Sequence, residues 1–231
     1  MSMRIGIIAE GHADVAIVKA VLKAVTGIDT TEMNAIRPNE TTDETDNAQL
    51  AFSNWELVMR SCQDELLLDA FFNTLEEEAL LVVHIDTAER GNKGYDVTEP
   101  QRTGHPDWQE YSQDVRRNVK AKLDGLLPEQ HRGRVSYAIA IEETDAWLIP
   151  LYESPCRRDT ATHVNPKEDL RTLIGAMKKK SKYIDTGRNN LNYHNLGKDL
   201  TKGLKAARNL NQSLHLFCID VEEKMKELTS L

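Results

Sequence analysis

Three continuous runs of apolar residues mark buried strands along the chain, at residues 5–8, 79–85 and 135–141. Short runs of this kind, bounded by polar residues, are typical of strands that are covered on both faces. Between the runs, apolar residues recur at steps of three and four, which predicts helices. Helices that connect successive strands favour parallel pairing, because parallel strands need long crossover connections. The pattern therefore predicts an α/β fold with a mainly parallel sheet and flanking helices.

The first predicted helix follows the first strand after a short turn. Its apolar stripe consists of Val15, Val18, Leu22 and Val25. Asp14 precedes the stripe, and we expect it to cap the helix, because a short acidic side chain accepts hydrogen bonds from the unpaired amides of the first turn. Gly27 follows the stripe, at the place where many helices end in a left-handed residue.

Each predicted strand is followed by carboxylates. Glu10 follows the first strand, Asp86 the second, and the third is followed by Glu142, Glu143 and Asp145. Parallel strands with right-handed crossovers bring their carboxyl ends to one edge of the sheet, where open α/β folds bind ligands. Clustered carboxylates repel one another unless a cation binds or some of them stay protonated. Oxygen ligands at this density suit Mg²⁺ or Mn²⁺.

Length and composition are those of an ordinary globular protein. The chain has 231 residues, enough for one large domain or for a domain with a sizeable insertion, and 40% of them are hydrophobic. No run approaches the roughly 20 apolar residues of a membrane span, and the first residues lead directly into a strand rather than a signal peptide. The three cysteines are far apart and show neither a disulfide framework nor a zinc spacing. We therefore expect a cytoplasmic protein with reduced thiols and no membrane partner.

Charge is distributed unevenly along the chain. The net charge of −8 argues against a generally basic nucleic-acid-binding protein. Residues 166–208 nevertheless carry 11 Lys and Arg against 4 Asp and Glu, a net charge of +7, whereas the rest of the chain carries 18 against 33, or −15. We expect a core over residues 1–152 and a helical, basic extension packed on it over residues 153–231. The candidates for contacts with nucleic-acid phosphates are Lys178, Lys179, Lys180, Lys182 and Arg188. A solvated helix end is the alternative interpretation of the lysines.

Three segments resemble, in this order, the motifs of TOPRIM domains, which are the catalytic domains of topoisomerases, primases and overcoming-lysogenization-defect nucleases. Glu10-Gly11, with Asp14 opening a helix, is similar to the first motif. HIDTAER at 84–90 resembles the second motif, which usually contains Asp-x-Asp at a strand end. IEETDAWLIPLY at 141–152 is similar to a segment of small bacterial TOPRIM-like proteins of the RloB type. The resemblance covers residues 4–152, and the remainder only loosely.

The resemblance implies metal-dependent phosphodiester chemistry on DNA or RNA. Glu10 and Asp86 would be the catalytic residues, and Asp14 and Gly11 would assist them. The implied ligands of Mg²⁺ or Mn²⁺ are Glu10, Asp86, Glu89, Glu142, Glu143 and Asp145. The ion would polarise a phosphoryl oxygen and stabilise the developing charge. By the same resemblance, the protein would be a TOPRIM-type nuclease, the effector of a bacterial anti-phage defence system, partnered by an ATPase of the ABC class.

One position departs from the TOPRIM pattern. Ala88 stands where the second aspartate of Asp-x-Asp is expected. A catalytically inactive TOPRIM-like subunit, which binds or regulates within an ATPase-containing complex, is therefore an alternative hypothesis. A nucleotide-binding or phosphotransfer enzyme of another α/β family is a third, although the chain contains neither G-x-x-x-x-G-K-[ST] nor G-x-G-x-x-G.

Overall fold

A four-stranded, all-parallel sheet in the order β2-β1-β3-β4 forms the centre of the protein. The computed structural model describes residues 3–38, 54–73, 78–103, 107–156, 159–185 and 190–230. The strands of this sheet are β1 (Met3–Ile8), β2 (Met33–Arg37), β3 (Glu78–Asp86) and β4 (Val135–Ala140). A short antiparallel pair, β5 (Ile184–Asp185) and β6 (Asn190–Leu191), lies apart from it. The predicted α/β class and its parallel sheet are confirmed. The apolar pattern does not predict β2, because Met33 is its only buried residue.

Helices cover both faces of the sheet. They are α1 (His12–Thr26), α2 (Asn54–Gln63), α3 (Glu65–Phe72), α4 (Trp108–Leu126), α5 (Glu129–Arg132), α6 (Pro166–Gly175), α7 (Tyr193–Asn209) and α8 (Gln212–Thr229). Successive residues of β3 belong to different hydrophobic layers: Leu80 and Val82 pack with α1, α7 and α8, whereas Leu81 and Val83 pack with α2 and α4. Burial on both faces explains why the strands are continuous apolar runs rather than alternating ones. Within the described ranges, no helix has the length and apolar character needed to cross a membrane.

The helix after β1 is bounded by two glycines. Gly11 is the N-cap of α1, so the expectation that Asp14 caps the helix is wrong: Asp14 lies inside the first turn. The helix begins earlier than its apolar stripe, because the extended backbone of Gly11 already allows its carbonyl to accept the Val15 amide at 3.1 Å. Gly27 closes the helix in the left-handed region, with φ of 77°, as predicted.

The chain after residue 152 supplies α7 and α8 to the hydrophobic layer on the α1 face. Trp147, which follows β4, stacks on Phe217 of α8 with ring centroids 5.7 Å apart, and its indole N–H donates to Ser213 at 2.8 Å. A buried indole needs such a partner for its N–H. The two parts of the chain therefore share one core on this face of the sheet.

The outer edge of β4 is closed by side chains. The Tyr137 amide donates to Asp220 of α8 at 2.8 Å, and the Tyr137 carbonyl accepts from Arg116 of α4 at 2.6 Å. Arg116 and Asp220 also lie 3.3 Å apart as an ion pair. An open edge would present unpaired backbone groups to other strands, and this pair occupies them.

The two glycines Gly27 and Gly125 provide a matched test of the α1 terminus. A Cβ added at either position would have no neighbouring atom within 4 Å, but only Gly27 has a positive φ. We expect Gly27→Ala to lower the free energy of unfolding by about 1 kcal/mol, because the left-handed backbone is strained for alanine. Gly125→Ala, inside α4, should raise it by about 0.5 kcal/mol through helix propensity. Urea unfolding followed by circular dichroism measures both, and an equal effect of the two substitutions would contradict the role assigned to Gly27.

Candidate metal centre

The carboxyl ends of β1 and β3 meet at one corner of the sheet, as the sequence pattern predicts. β1 and β3 are neighbours, with Ile8 paired to Val83. Glu10 reaches across this junction, and its Oε1 accepts the backbone N–H of Asp86 at 2.7 Å. Asp14, in the first turn of α1, has a ligand atom within 4.8 Å of one of Asp86. The structure therefore brings together Glu10, Asp14 and Asp86, three of the carboxylates singled out from the sequence.

A histidine completes the corner. One ligand atom each from Asp14, His84 and Asp86 lies within 4.8 Å of the others, which makes these three a possible metal-binding group. His84 and Asp86 are two residues apart in β3, so their side chains point to the same face of the sheet. The His84 side chain is completely buried, whereas the Asp86 side chain remains 24% exposed. The His84 ring is therefore enclosed, whereas the carboxylates of Asp14 and Asp86 are half-buried.

Thr144, from the turn after β4, links the histidine to the aspartate. Its amide and its hydroxyl both donate to Asp86 Oδ1, each at 3.0 Å. Since the hydroxyl donates its proton to Asp86, it accepts from His84 Nε2, which lies 2.6 Å away, so we assign the proton of that contact to Nε2. His84 Nδ1 is buried and has no hydrogen-bond partner among the described residues. Thr144 does not cap the 3₁₀ turn that follows β4, because Glu143 occupies that position.

The electrostatics of the corner favour bound protons. Burial and the negative charge of Asp86 raise the pKa of Glu10 from 4.5 to about 8. Burial also raises the pKa of Asp86, and the charge of Asp14 adds to it. Burial by itself would lower the pKa of His84, but the carboxylates of Asp14, Asp86 and Glu10 outweigh it and raise the pKa to about 9. A cation that bound here would have to displace these protons, so its binding would strengthen as the pH rises.

The donor set fits a divalent metal ion. Carboxylate oxygens suit Mg²⁺ and Mn²⁺. Asp14 and Asp86 are the candidate oxygen ligands. Next to them, His84 Nδ1 is a buried nitrogen without a hydrogen-bond partner among the described residues. A ligand set of this size leaves coordination positions for water or substrate.

The acidic residues after β4 are occupied by other partners. Glu142, at a positive φ of 60°, forms an ion pair with Arg102 at 2.5 Å. Glu143 accepts the Lys167 amide at the start of α6, at 3.1 Å. Asp145 accepts the Tyr193 hydroxyl at 2.9 Å, and burial raises its pKa to about 7. None of the three belongs to the metal-binding group found among the described residues.

The remaining predicted site residues lie outside this corner. Glu89 is exposed in the turn that follows β3, and Gly11 contributes its backbone as the α1 cap. Lys178, Lys179 and Lys180 are exposed after α6, and Lys182 forms an ion pair with Asp199 at 2.9 Å. Arg188 lies outside the described residues.

Two residues of the corner, His84 and Thr144, are absent from the sequence-based site. His84 is a buried residue of an apolar strand, but its spacing of two from Asp86 was a signal that both side chains share a face. Thr144 carries no such signal, because it reaches the site through its tertiary contact with Asp86.

Glu10→Gln should make the metal-free protein more stable. Below pH 4.5 the Glu10 carboxyl is protonated in both the folded and the unfolded chain and contributes nothing. Between pH 4.5 and about 8 the unfolded chain ionises while the folded chain does not, so this group lowers the stability of the wild type as the pH rises. Glutamine keeps the acceptor for the Asp86 amide and removes this penalty.

We expect a gain of about 2 kcal/mol for Glu10→Gln at pH 8, vanishing near pH 4.5. Urea unfolding in EDTA across this pH range measures it. Glu223→Gln, the same change on the exposed face of α8, is the control and should be neutral throughout. A pH-independent difference between Glu10→Gln and the wild type would contradict the raised pKa.

The comparisons with known proteins do not assign a function to the site. Because a fold by itself does not specify an activity, the function has to be inferred from the chemistry of the site. No protein-family model, no curated protein and no solved structure matches this chain.

Proposed function

We propose that the protein is a divalent-metal-dependent nuclease that hydrolyses phosphodiester bonds of nucleic acid. The observation that carries the proposal is the meeting of Glu10, Asp14 and Asp86 at the carboxyl edge of a parallel sheet. Carboxylates held this close are destabilising in the absence of a cation, so their retention points to a function. The order of the motifs that resemble TOPRIM domains supports the same chemistry. The role in anti-phage defence rests on that resemblance alone.

Asp86 and Asp14 would hold the ion, because they are the carboxylates of the metal-binding group. A bound Mg²⁺ or Mn²⁺ supplies positive charge to a phosphoryl oxygen and lowers the pKa of water. Thr144 fixes Asp86 through two hydrogen bonds to Oδ1. The second oxygen of Asp86, Oδ2, accepts neither of them. His84 orients Thr144 in turn. Such supporting contacts set the direction of a ligand carboxylate.

Glu10 is placed for proton transfer. In the metal-free protein, burial raises the pKa of Glu10 to about 8, so its carboxyl holds a proton near neutral pH that it can donate. The Asp86 amide holds one carboxylate oxygen at 2.7 Å, so the side chain is fixed next to the ion site. We assign to Glu10 the donation of its proton to the leaving oxygen. The attacking water would lose its proton to solvent, from which Glu10 would be protonated again.

The alternative function is a catalytically inactive subunit that binds or regulates within an ATPase-containing complex. Ala88 supports this alternative, since its amide donates to the Glu142 carbonyl at 3.0 Å and it brings no carboxylate to the site. Protonated His84 also supports it, because a histidinium balances part of the carboxylate charge without a metal ion. The alternative predicts that function survives when Glu10 is neutralised.

Cleavage of nucleic acid is the direct test of the proposal. The purified protein is incubated with labelled plasmid DNA and with total tRNA, in Mg²⁺, in Mn²⁺ and in EDTA. We expect metal-dependent cleavage, and a loss of at least about 100-fold in rate for Glu10→Gln, because a general acid–base group is removed. Glu223→Gln should cleave like the wild type. Cleavage that persists in EDTA, or that Glu10→Gln retains in full, would contradict the assigned mechanism.

Metal binding can be tested without any substrate. Mn²⁺ at about 100 times its Kd should stabilise the wild type by about 2.7 kcal/mol, which is a rise in Tm of roughly 5–10 °C for a chain of this size. Asp86→Asn should lose most of this rise, because it removes a negative ligand while keeping an acceptor for Thr144. A scanning calorimeter records both proteins with Mn²⁺ and with EDTA. An equal Mn²⁺ response of wild type and Asp86→Asn would show that the ion binds elsewhere.

A further inference from the structure

A groove of about 570 Å³ runs between α1 and α7 and begins beside the candidate metal centre. His12, the first residue of α1, and His194, the second of α7, line the end next to the site. His12 is two residues from Glu10, and His194 follows Tyr193, whose hydroxyl contacts Asp145. Asp14 lies on the same first turn of α1 as His12, so this end of the groove is next to the metal-binding group, although none of that group's residues lines it.

The two helices that form the groove pack closely and run in the same direction. A Cβ on Gly197 of α7 would lie 3.2 Å from Ala20 Cβ and 3.3 Å from the Ala16 carbonyl of α1. One turn further along, Thr201 donates to the Ala20 carbonyl at 3.2 Å. Small residues thus make a narrow floor, and longer side chains stand on either side of it.

The walls of the groove are basic. Its four lysines are Lys19 and Lys23 on α1, and Lys198 and Lys202 on α7. No acidic side chain is among the lining residues that the structure describes, although Asp29 contacts Lys23 at 2.8 Å from outside. Within the described part of the chain, Lys198 and Lys202 form no ion pair, and both are exposed. A positive groove on a protein with a net charge of −8 is a local feature that attracts anions.

We propose that this groove binds the phosphate backbone of a single nucleic-acid strand and directs it to the carboxylate corner. The proposal specifies the substrate path of the proposed function and rests on that function for the fate of the strand. Lysines four residues apart stand about 6 Å apart along each helix, a distance comparable to that between successive phosphates of an extended strand. Helix axes in contact lie about 8–10 Å apart, so one strand fits between the lysine rows and a duplex is too wide. Small apolar floor residues leave room for sugars and bases.

The path also fits the charges along it. Lysines attract the phosphates along the groove. At the end where the strand reaches the site, the first turn of α1 has no side-chain cap, whereas Asn192 caps α7. A strand that entered the carboxylate corner without these positive groups would be repelled by Glu10, Asp14 and Asp86. The groove thus supplies the attraction that an acidic catalytic corner lacks.

Metal-free binding tests this proposal independently of cleavage. Fluorescence anisotropy in EDTA measures the Kd for labelled single-stranded DNA and RNA of about 20 nucleotides, longer than a typical single-strand site, and for the corresponding duplexes. The groove variant is Lys198→Glu with Lys202→Glu, and the matched control is Lys205→Glu with Lys226→Glu, two lysines that do not line the groove. Both pairs are exposed and change the charge equally. Circular dichroism and Tm confirm that the variants fold, and Lys198→Gln with Lys202→Gln provides a milder change.

We expect the groove variant to weaken single-strand binding at least about tenfold, and the control less than about twofold. The slope of log K against log salt should fall by about 1.4 for the glutamine pair, the value for two lost phosphate contacts. Equal weakening by both charge-reversed pairs, no weakening by the groove variant, or duplex binding as tight as single-strand binding would overturn the proposal.

The outcome separates the groove from the proposed activity. Cleavage that depends on metal and on Glu10 but is unaffected by the groove variant would leave the nuclease proposal standing and overturn the groove. Binding that is lost in the groove variant, without cleavage under any metal condition, would retain the groove and overturn the nuclease.

Discussion

The rest of the site depends on the hydrogen bond from the Asp86 amide to Glu10. It joins the ends of two neighbouring parallel strands, and it places one carboxylate beside another that burial already makes difficult to ionise. Two hydrophobic layers hold β1 and β3 in the register that makes the contact possible. The stability of those layers offsets the electrostatic cost of the corner, as is common at functional sites.

The side chains of the corner differ in exposure and in role. The carboxylates of Asp14 and Asp86 are half-buried, whereas Thr144 and His84 are buried and fix the orientation of Asp86. Arg102 draws Glu142 away into an ion pair and also donates to the Ala161 carbonyl at 2.7 Å. Glu143 is likewise used at the start of α6. Removing these two carboxylates from the corner limits the number of negative charges that a single ion has to balance.

Acidic and basic surfaces meet at the amino ends of α1 and α7. The carboxylate corner would bind a cation and repel a polyanion, whereas the lysine groove would attract the polyanion. The packing of Gly197 against Ala16 and Ala20 decides this arrangement, because it sets the two lysine rows a fixed distance apart. The same contacts belong to the hydrophobic layer that covers the α1 face of the sheet, so folding and the proposed binding use one set of interactions.

The sequence by itself determined the α/β class, the parallel strands and the position of Glu10 and Asp86 at their ends, because periodicity and strand-end location are local properties of the chain. It also determined Gly27 as a helix end. It did not determine the edge strand β2, whose burial is slight, or the first turn of α1, where Gly11 rather than Asp14 is the cap.

Only the tertiary structure decided which acidic residues share a site. Glu142, Glu143 and Asp145 follow a strand end as Glu10 does, but Arg102, the Lys167 amide and Tyr193 bind them, and these partners come from distant parts of the chain. Likewise, the lysines of α1 and α7 form one groove only because those helices pack together. Side-chain partners chosen by packing have no periodicity in the sequence, which is why the strand ends could be predicted and the membership of the site could not.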